Sequence, residues 1–389
     1  MSNIVKYKMN LEVLTPLHIS GADYKSRLGK KEYVFNKEEK TLTLIDNEKF
    51  VGFLIKKNLF DKYISYIENS VNAKVMIQNR NINLLNFLKA NNIDKDIKEY
   101  RKKAPIKVDM NIENMNDIKL MTRNVLGKPY IQGSSIKGAL VNFLLVDYII
   151  NNRNEFLKEK KEILSECRRA NDDRSVKNLK NEIKKIISRI EKFIIYGDNK
   201  ELEKSKKFGI SISDSYNYYD TRTNFYQDID EKRNAKTENE KNKTMPVVRE
   251  YIMVNSKFDF DITLDMDLLK ESELKIKNIN DLINSLENSV AYLINILEDK
   301  NSPRTENLIL GANTGFLQKT VVYALFEDKE ERLEVIKKLL HKSSKNAIGN
   351  HLNDKFAPRV LNRIKMGGKY QLAGLVRIKK VEEKNVGTN

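Results

Sequence analysis

Lys128-Pro129-Tyr130-Ile131-Gln132-Gly133-Ser134-Ser135-Ile136-Lys137-Gly138-Ala139-Leu140 is the stretch on which the reading of this chain turns. Pro129, Gly133 and the serine pair interrupt regular structure, whereas Ile136, Ala139, Leu140, Phe143 and Leu144 recur at helical spacing. The pattern predicts a Gly-Ser loop feeding an apolar helix, with Ser134 or Ser135 as N-cap. N–H groups at a helix start lack partners and attract anions, and glycine leaves the approach open. Gly133 and Gly138 meet that requirement, and Lys137 adds a charge for a phosphate. A nucleotide-hydrolysing loop is excluded, because Ala139 and Leu140 stand where it needs lysine and serine or threonine.

A second glycine loop, Gly311-Ala312-Asn313-Thr314-Gly315-Phe316-Leu317-Gln318-Lys319-Thr320, enters an apolar helix through Val321, Val322, Leu325 and Phe326. Gly311, Gly315 and Lys319 repeat the logic of Gly133, Gly138 and Lys137. Each loop taken alone is equally well read as a tight connection that needs positive φ.

Farther out, Val5, Tyr7, Met9, Leu11 and Val13 alternate with Lys6, Lys8, Asn10 and Glu12, predicting a half-buried N-terminal strand. Pro16 and Gly21 end it, with His18 near its close. Tyr33, Phe35, Leu42 and Leu44 suggest short strands, and Phe53, Leu54, Leu59, Tyr63 and Ile67 a helical insertion. Val176 to Ile194 forms another apolar stripe in a segment crowded with Lys, Arg and Glu, which reads first as a solvated charged helix with one buried face and alternatively as one arm of a helical hairpin packed on its neighbour. A strand is expected at Phe208–Asp214, then a polar loop or β-hairpin over Tyr216–Lys243, a strand over Phe258–Met266 and a helix over Ile283–Leu297.

A chain of 389 residues suits two domains, or one enlarged by insertions, and 40% apolar residues suffice for a core. The net charge of +17 attracts polyanions, nucleic acid first. The surplus is densest between Lys342 and Lys380, where Asp354 is the single acid. Cys167 is the only cysteine, so no internal disulfide forms and no cysteine-rich zinc site is available to His18, His341 and His351. No secretory signal opens the chain, and no apolar run approaches the roughly 18 residues of a membrane span. The expected setting is the cytoplasm, with no membrane partner and no cofactor or metal.

Taken together, Leu14-Thr15-Pro16-Leu17-His18-Ile19, the block from Tyr130 to Leu140 and the later glycine loop resemble the RAMP (repeat-associated mysterious protein) superfamily of CRISPR systems. Ile210 to Ser215, Arg249 to Ile252, Gly311 to Thr320 and Pro358-Arg359 are similar to the branch that supplies the fifth Csm subunit of type III-A complexes. The resemblance runs over most of the chain. It implies an α+β fold of two ferredoxin-like (RRM-like) βαββαβ domains with helical insertions at about 47–118 and 151–207. The implied division is 1–250 and 251–389, with a protruding β-hairpin.

In function the resemblance implies a non-catalytic RNA-binding subunit of the Csm effector complex, active in antiviral defence. It would cap the distal end, contact the 3′ part of the CRISPR RNA (crRNA) and take part in crRNA maturation. Its implied partners are crRNA, the neighbouring backbone subunit, the other Csm subunits and, secondarily, target RNA. Gly133, Ser134, Ser135, Lys137 and Gly138, with Gly311, Asn313, Thr314, Gly315 and Lys319, carry over as RNA contacts, and His18 and Arg359 join them as candidates. The sequence departs from the superfamily in the turn after His18, where Ser20-Gly21-Ala22-Asp23 replaces a Gly-Ser-Gly ending.

The alternative is a RAMP-type ribonuclease. His18 would act as base and Lys25 or Arg27 as the cation, since a metal-independent nuclease needs both near the 2′-hydroxyl. Asp23 is the only acid in that loop, too little for a two-metal site. A third reading is a protein-binding module whose charge only maintains solubility.

Overall fold

The computed structural model of the chain describes residues 3–21, 26–71, 84–110, 116–170, 172–219, 221–233, 235–298, 305–312, 321–341, 351 and 353–385. The opening alternation becomes β1 (Ile4–Val13), which buries Tyr7, Met9, Leu11 and Val13. Short strands β2 (Arg27–Leu28), β3 (Tyr33–Asn36) and β4 (Thr41–Leu44) follow. Asp46 caps α1 (Asn47–Lys56) by accepting the Lys49 N–H at 3.2 Å. With α2 (Phe60–Val71) and α3 (Leu84–Ala90) it surrounds a small core of Phe50, Phe53, Leu54, Tyr63 and Phe87. The insertion expected over 47–118 is helical at first but ends in β5 (Ile106–Lys107) and β6 (Ile118–Lys119), each joined to a sheet.

The Gly-Ser stretch starts α4 (Gly133–Asn151). By length and composition this is the one described helix that would also suit a bilayer, which corrects the expectation that no stretch comes near that size. It is apolar on most sides because protein surrounds it: Ile136, Leu140, Phe143, Leu144 and Ile149 all lie in the main core. The stripe from Val176 lies on α6 (Asp173–Tyr196), opened by a capping box between Asp172 and Ser175, and packs against α5 (Leu157–Arg169) as the hairpin alternative has it.

Next come β7 (Ile210–Ile212), β8 (Tyr216–Tyr219), β9 (Thr223–Lys232) and β10 (Asn242–Ile252). The span 216–243, expected as a loop or a hairpin, supplies β8 and the first arm of the β9–β10 antiparallel hairpin. The hairpin register shifts between Thr244 and Val248, around Pro246, which has no N–H to give the ladder. Asp228, buried in the hairpin, accepts from Arg249 Nε at 3.0 Å and from the Tyr251 hydroxyl at 3.1 Å. The chain continues through β11 (Lys257–Asp265), α7 (Ile279–Glu298), β12 (Leu308–Ile309), α8 (Lys329–Leu340), β13 (Val360–Met366), β14 (Lys369–Gln371) and β15 (Leu375–Asn385).

The central sheet has the order β12-β15-β1-β11-β7, with β8 also pairing β11. Every pairing in it is antiparallel, and α4 connects β1 towards β7 as α7 connects β11 towards β15. Four strands and two helices thus carry the order β15-β1-β11-β7 of a βαββαβ unit. The polar face of β1 is matched across the sheet, Lys6 to Asp261 at 2.9 Å and Lys8 to Asp259 at 3.3 Å. The second sheet, β14-β13-β9-β10-β6-β2, is ordered differently and pairs β10 with β6 in parallel; the third is β3-β4-β5. The division expected at 250 falls inside β10, and the central sheet draws strands from both sides of it.

Candidate nucleic-acid interface

Backbone hydrogen bonds bring together most of the segments singled out in the sequence. After β1, the turn through Pro16 and His18 is held on one side by Gly374, whose N–H donates to the Pro16 carbonyl at 2.9 Å. On another side Leu17 and Ile252 exchange N–H and carbonyl at 3.0 and 2.8 Å. The Ala312 N–H donates to the His18 carbonyl at 3.0 Å, and the Thr122 N–H to the Ile19 carbonyl at 2.9 Å. From Thr122 the ladder reaches Tyr130, and Ile131 in turn pairs with Ser215, whose N–H donates to its carbonyl at 2.9 Å.

Glu250 fastens this junction from within. Its buried carboxylate accepts the Met121 N–H at 3.1 Å and the Thr223 hydroxyl at 2.7 Å, and it pairs with Arg123. The Glu250 carbonyl accepts from His18 Nδ1 at 2.6 Å, so Nε2 is left to accept the Ser20 hydroxyl, also at 2.6 Å. Only 1% of His18 is exposed. Burial lowers its pKa to about 4, against the opposing pull of the Glu250 hydrogen bond. At neutral pH the ring is uncharged with both nitrogens engaged, which leaves no open face to an RNA hydroxyl. Arg27 is exposed on β2, while Asp23 and Lys25 lie outside the described residues.

The Gly-Ser block divides between fold and surface. Gly133 starts α4 as a buried residue, and a Cβ there would stand 2.6 Å from the Ile212 carbonyl oxygen and from two Ser213 backbone atoms. Its N–H donates to the Asp214 carboxylate at 2.8 Å. Gln132 occupies the N-cap position, which corrects the assignment of Ser134 or Ser135; Asp214, reaching in from beyond β7, supplies the acceptor an N-cap side chain would give. Ser134 and Gly138, both exposed, lie one turn apart on the outer face, and a Cβ at Gly138 would stand in open space. Lys137 is half-buried beside them, its ammonium 5.9 Å from the centre of the Phe208 ring. Ser135 is half-buried within the first turn.

Of the second loop, Gly311 is described, while Asn313, Thr314, Gly315 and Lys319 lie outside the described residues. Gly311 has φ +91°, and a Cβ there would overlap the His18 carbonyl oxygen. Arg359 sits apart from the junction and pairs with Asp354 at 3.2 Å. The acid-poor stretch around it finds its counter-charges elsewhere in the chain: Arg363 meets Glu231 at 2.7 Å, Arg377 meets Glu12 at 2.5 Å and Lys365 meets Asp109 at 3.9 Å. Among the described residues no three His, Cys, Asp or Glu side chains are grouped to hold a metal.

The convergence of strand-end turn, Gly-Ser helix start and second glycine at one junction agrees with a profile of the RAMP superfamily, which matches residues 10–349. The chain belongs to the RAMP superfamily. This RAMP protein is 27% identical over 276 residues to the CRISPR system protein Csm5 of Streptococcus thermophilus, covering 67% of this chain and 64% of that one. It is 29% identical over 154 residues to Csm5 of Enterococcus italicus, covering 34% and 41%. The matched stretch therefore spans less than two thirds of either relative. Among solved structures, one chain from a cryo-EM structure of a Csm–crRNA–target RNA ternary complex, type III-A, gives a TM-score of 0.58 at 16% identity, over 96% of this chain and 100% of that one. The crystal structure of T. onnurineus Csm5 gives 0.52 at 16% identity, over 81% and 93%. The RAMP chain is thus a distant homologue of Csm5 proteins and shares their fold.

Proposed function

We propose that this chain is a Csm5-like, non-catalytic subunit of a type III-A CRISPR effector complex and that it holds crRNA. On this reading it caps the distal end beside a backbone RAMP subunit, lies along the 3′ part of the guide and takes part in crRNA maturation, with target RNA within reach. Its central βαββαβ sheet is a ferredoxin-like unit. The observation that carries the reading is the division of the Gly-Ser block in a RAMP-superfamily chain. Gly133 faces the fold, whereas Ser134, Lys137 and Gly138 present a small outer strip with a cation and a bare backbone. Such a strip suits phosphate contacts, which position a strand without reading its bases. The ring of His18, buried, neutral and doubly hydrogen-bonded, favours the non-catalytic reading over the ribonuclease.

The test is guide-RNA binding by Lys137→Ala and Lys319→Ala across a salt series. Each lost contact is expected to weaken binding and to lower the slope of log K against log salt by about 0.7 to 0.9. An unchanged slope in both variants sinks the phosphate-contact reading. Cleavage of RNA by the wild type that disappears in His18→Ala would restore the ribonuclease.

A further inference from the structure

A cavity of about 270 Å³ opens between α7, the start of α8, the end of the β9 arm and residues 355–357. Arg233, Lys329, Arg332 and Lys355 line it, and among the described residues no carboxylate does. None of the four makes an ion pair among the described residues. Elsewhere, buried and half-buried arginines do find carboxylates, as Arg249 does with Asp228, Arg363 with Glu231 and Arg377 with Glu12. Among the described residues Arg332 has only neutral acceptors, the Phe326 and Glu327 carbonyls at 3.4 Å each. Three acids nearby are committed to other partners, and Glu330 is exposed on the first turn of α8. Glu327 pairs with Arg153 at 3.5 Å, Glu331 pairs with Lys160 at 2.7 Å, and Asp328 accepts the first amides of α8.

Like charges gathered without a counter-charge repel one another and weaken the folded state. Both arginines also act on one buried group: burial raises the pKa of Tyr323, and the positive charges of Arg332 and Arg233 pull against it. A multiply charged anion between them would relieve the repulsion. The other walls specify more than a bare anion. Ile296, Leu333 and Phe356 give an apolar side, and the Arg233 guanidinium already lies over the Phe356 ring, 5.7 Å from its centre. A guanidinium beside a ring can still offer its N–H fork for bidentate bonds to phosphate. The volume, near the lower end for small-ligand pockets, exceeds what an inorganic ion alone requires.

We infer that this cavity binds a phosphorylated nucleotide, its phosphates among Arg233, Lys329, Arg332 and Lys355 and its base against Ile296, Leu333 and Phe356. The inference goes beyond the proposed guide contact on α4 and is independent of it. The ligand is either a free nucleotide or the phosphorylated end of an RNA strand.

The experiment is calorimetric titration of the full chain with ADP, with pyrophosphate, and with a dinucleotide of RNA in 5′-phosphorylated and unphosphorylated forms. Saturable ADP binding, weaker for pyrophosphate and at least tenfold weaker in Arg332→Gln and in Lys355→Gln, is expected. Lys62→Gln combined with Lys98→Gln removes twice the charge of either pocket variant, from the exposed surface of the helical insertion, and should leave the affinity unchanged. Tighter binding of the phosphorylated dinucleotide than of ADP assigns the site to an RNA end, and the reverse order to a free nucleotide. Lys355 is exposed, so its variant keeps the test valid if Arg332→Gln fails to fold. The inference is overturned if no probe binds saturably, or if the control pair weakens ADP as much as the pocket variants do. Guide-RNA binding by Lys137→Ala, measured in parallel, reports on the α4 strip alone.

Discussion

Gly133 and Gly138 stand five residues apart in one helix, yet their surroundings are opposite. At Gly133 a side chain would strike the backbone leaving β7, whereas at Gly138 a methyl group would meet nothing within 4 Å. Gly311 sides with Gly133, since both its φ of +91° and the His18 carbonyl forbid a Cβ. Two glycines that look like ligand-facing residues are therefore sufficiently explained by close packing of the chain on itself. The third has no such explanation and costs the helix stability, because glycine in a helix interior is worse than alanine by roughly 0.5 to 1 kcal/mol. The contrast separates residues that build the junction from residues the junction presents.

The sharpest way to break the contrast is substitution at the packed pair. Gly311→Ala should destabilise the fold by about 4 kcal/mol and Gly133→Ala by about 3 kcal/mol, as overlap with backbone leaves little room to relax. Urea unfolding measures both, and a cost below about 1 kcal/mol at either position would remove it from the building set.

A smaller effect tests the His18 side of the junction. Its folded pKa of about 4 lies below the ordinary 6.5, so between these values the unfolded chain binds a proton that the folded chain refuses. Stability from this group is complete above pH 6.5 and falls as the pH drops to about 4, by about 3 kcal/mol at 1.36 kcal/mol per pH unit. His18→Gln should flatten that part of the stability profile, and identical slopes in variant and wild type would show that the ring is not locked as described.

The smallest effect is the most telling. Gly138→Ala should raise stability by about 0.5 to 1 kcal/mol while weakening guide-RNA binding. A variant that gains stability and keeps full affinity would mean that no strand approaches α4 at this point.

Much of the fold was legible because local periodicity survives in it. The alternation of β1 and β11 and the stripes of α4, α6 and α7 each record one buried face. The junction was legible only in outline. Nothing near Glu250 in the chain announces that its carboxylate will gather Met121, Arg123 and Thr223, because those partners lie 27 to 129 residues away. Asp214 was hidden in the same way: it serves a helix that begins 81 residues earlier. The basic C-terminal stretch misled for the converse reason. Counting acids along the chain missed Glu12 and Glu231, which come to Arg377 and Arg363 only through strand pairing. Gly133 and Gly311 were found by their identity but not by their purpose, since packing glycines and ligand glycines look alike in sequence.

The position of β1 between β11 and β15 has a consequence for biosynthesis. Glu12 and Arg377 touch across the sheet yet are 365 residues apart, so β1 waits through the synthesis of all that lies between before β15 covers its second edge. Until β15 emerges, that edge exposes unpaired amides, a condition under which nascent chains associate wrongly. A long interval of this kind favours the early arrival of a chaperone.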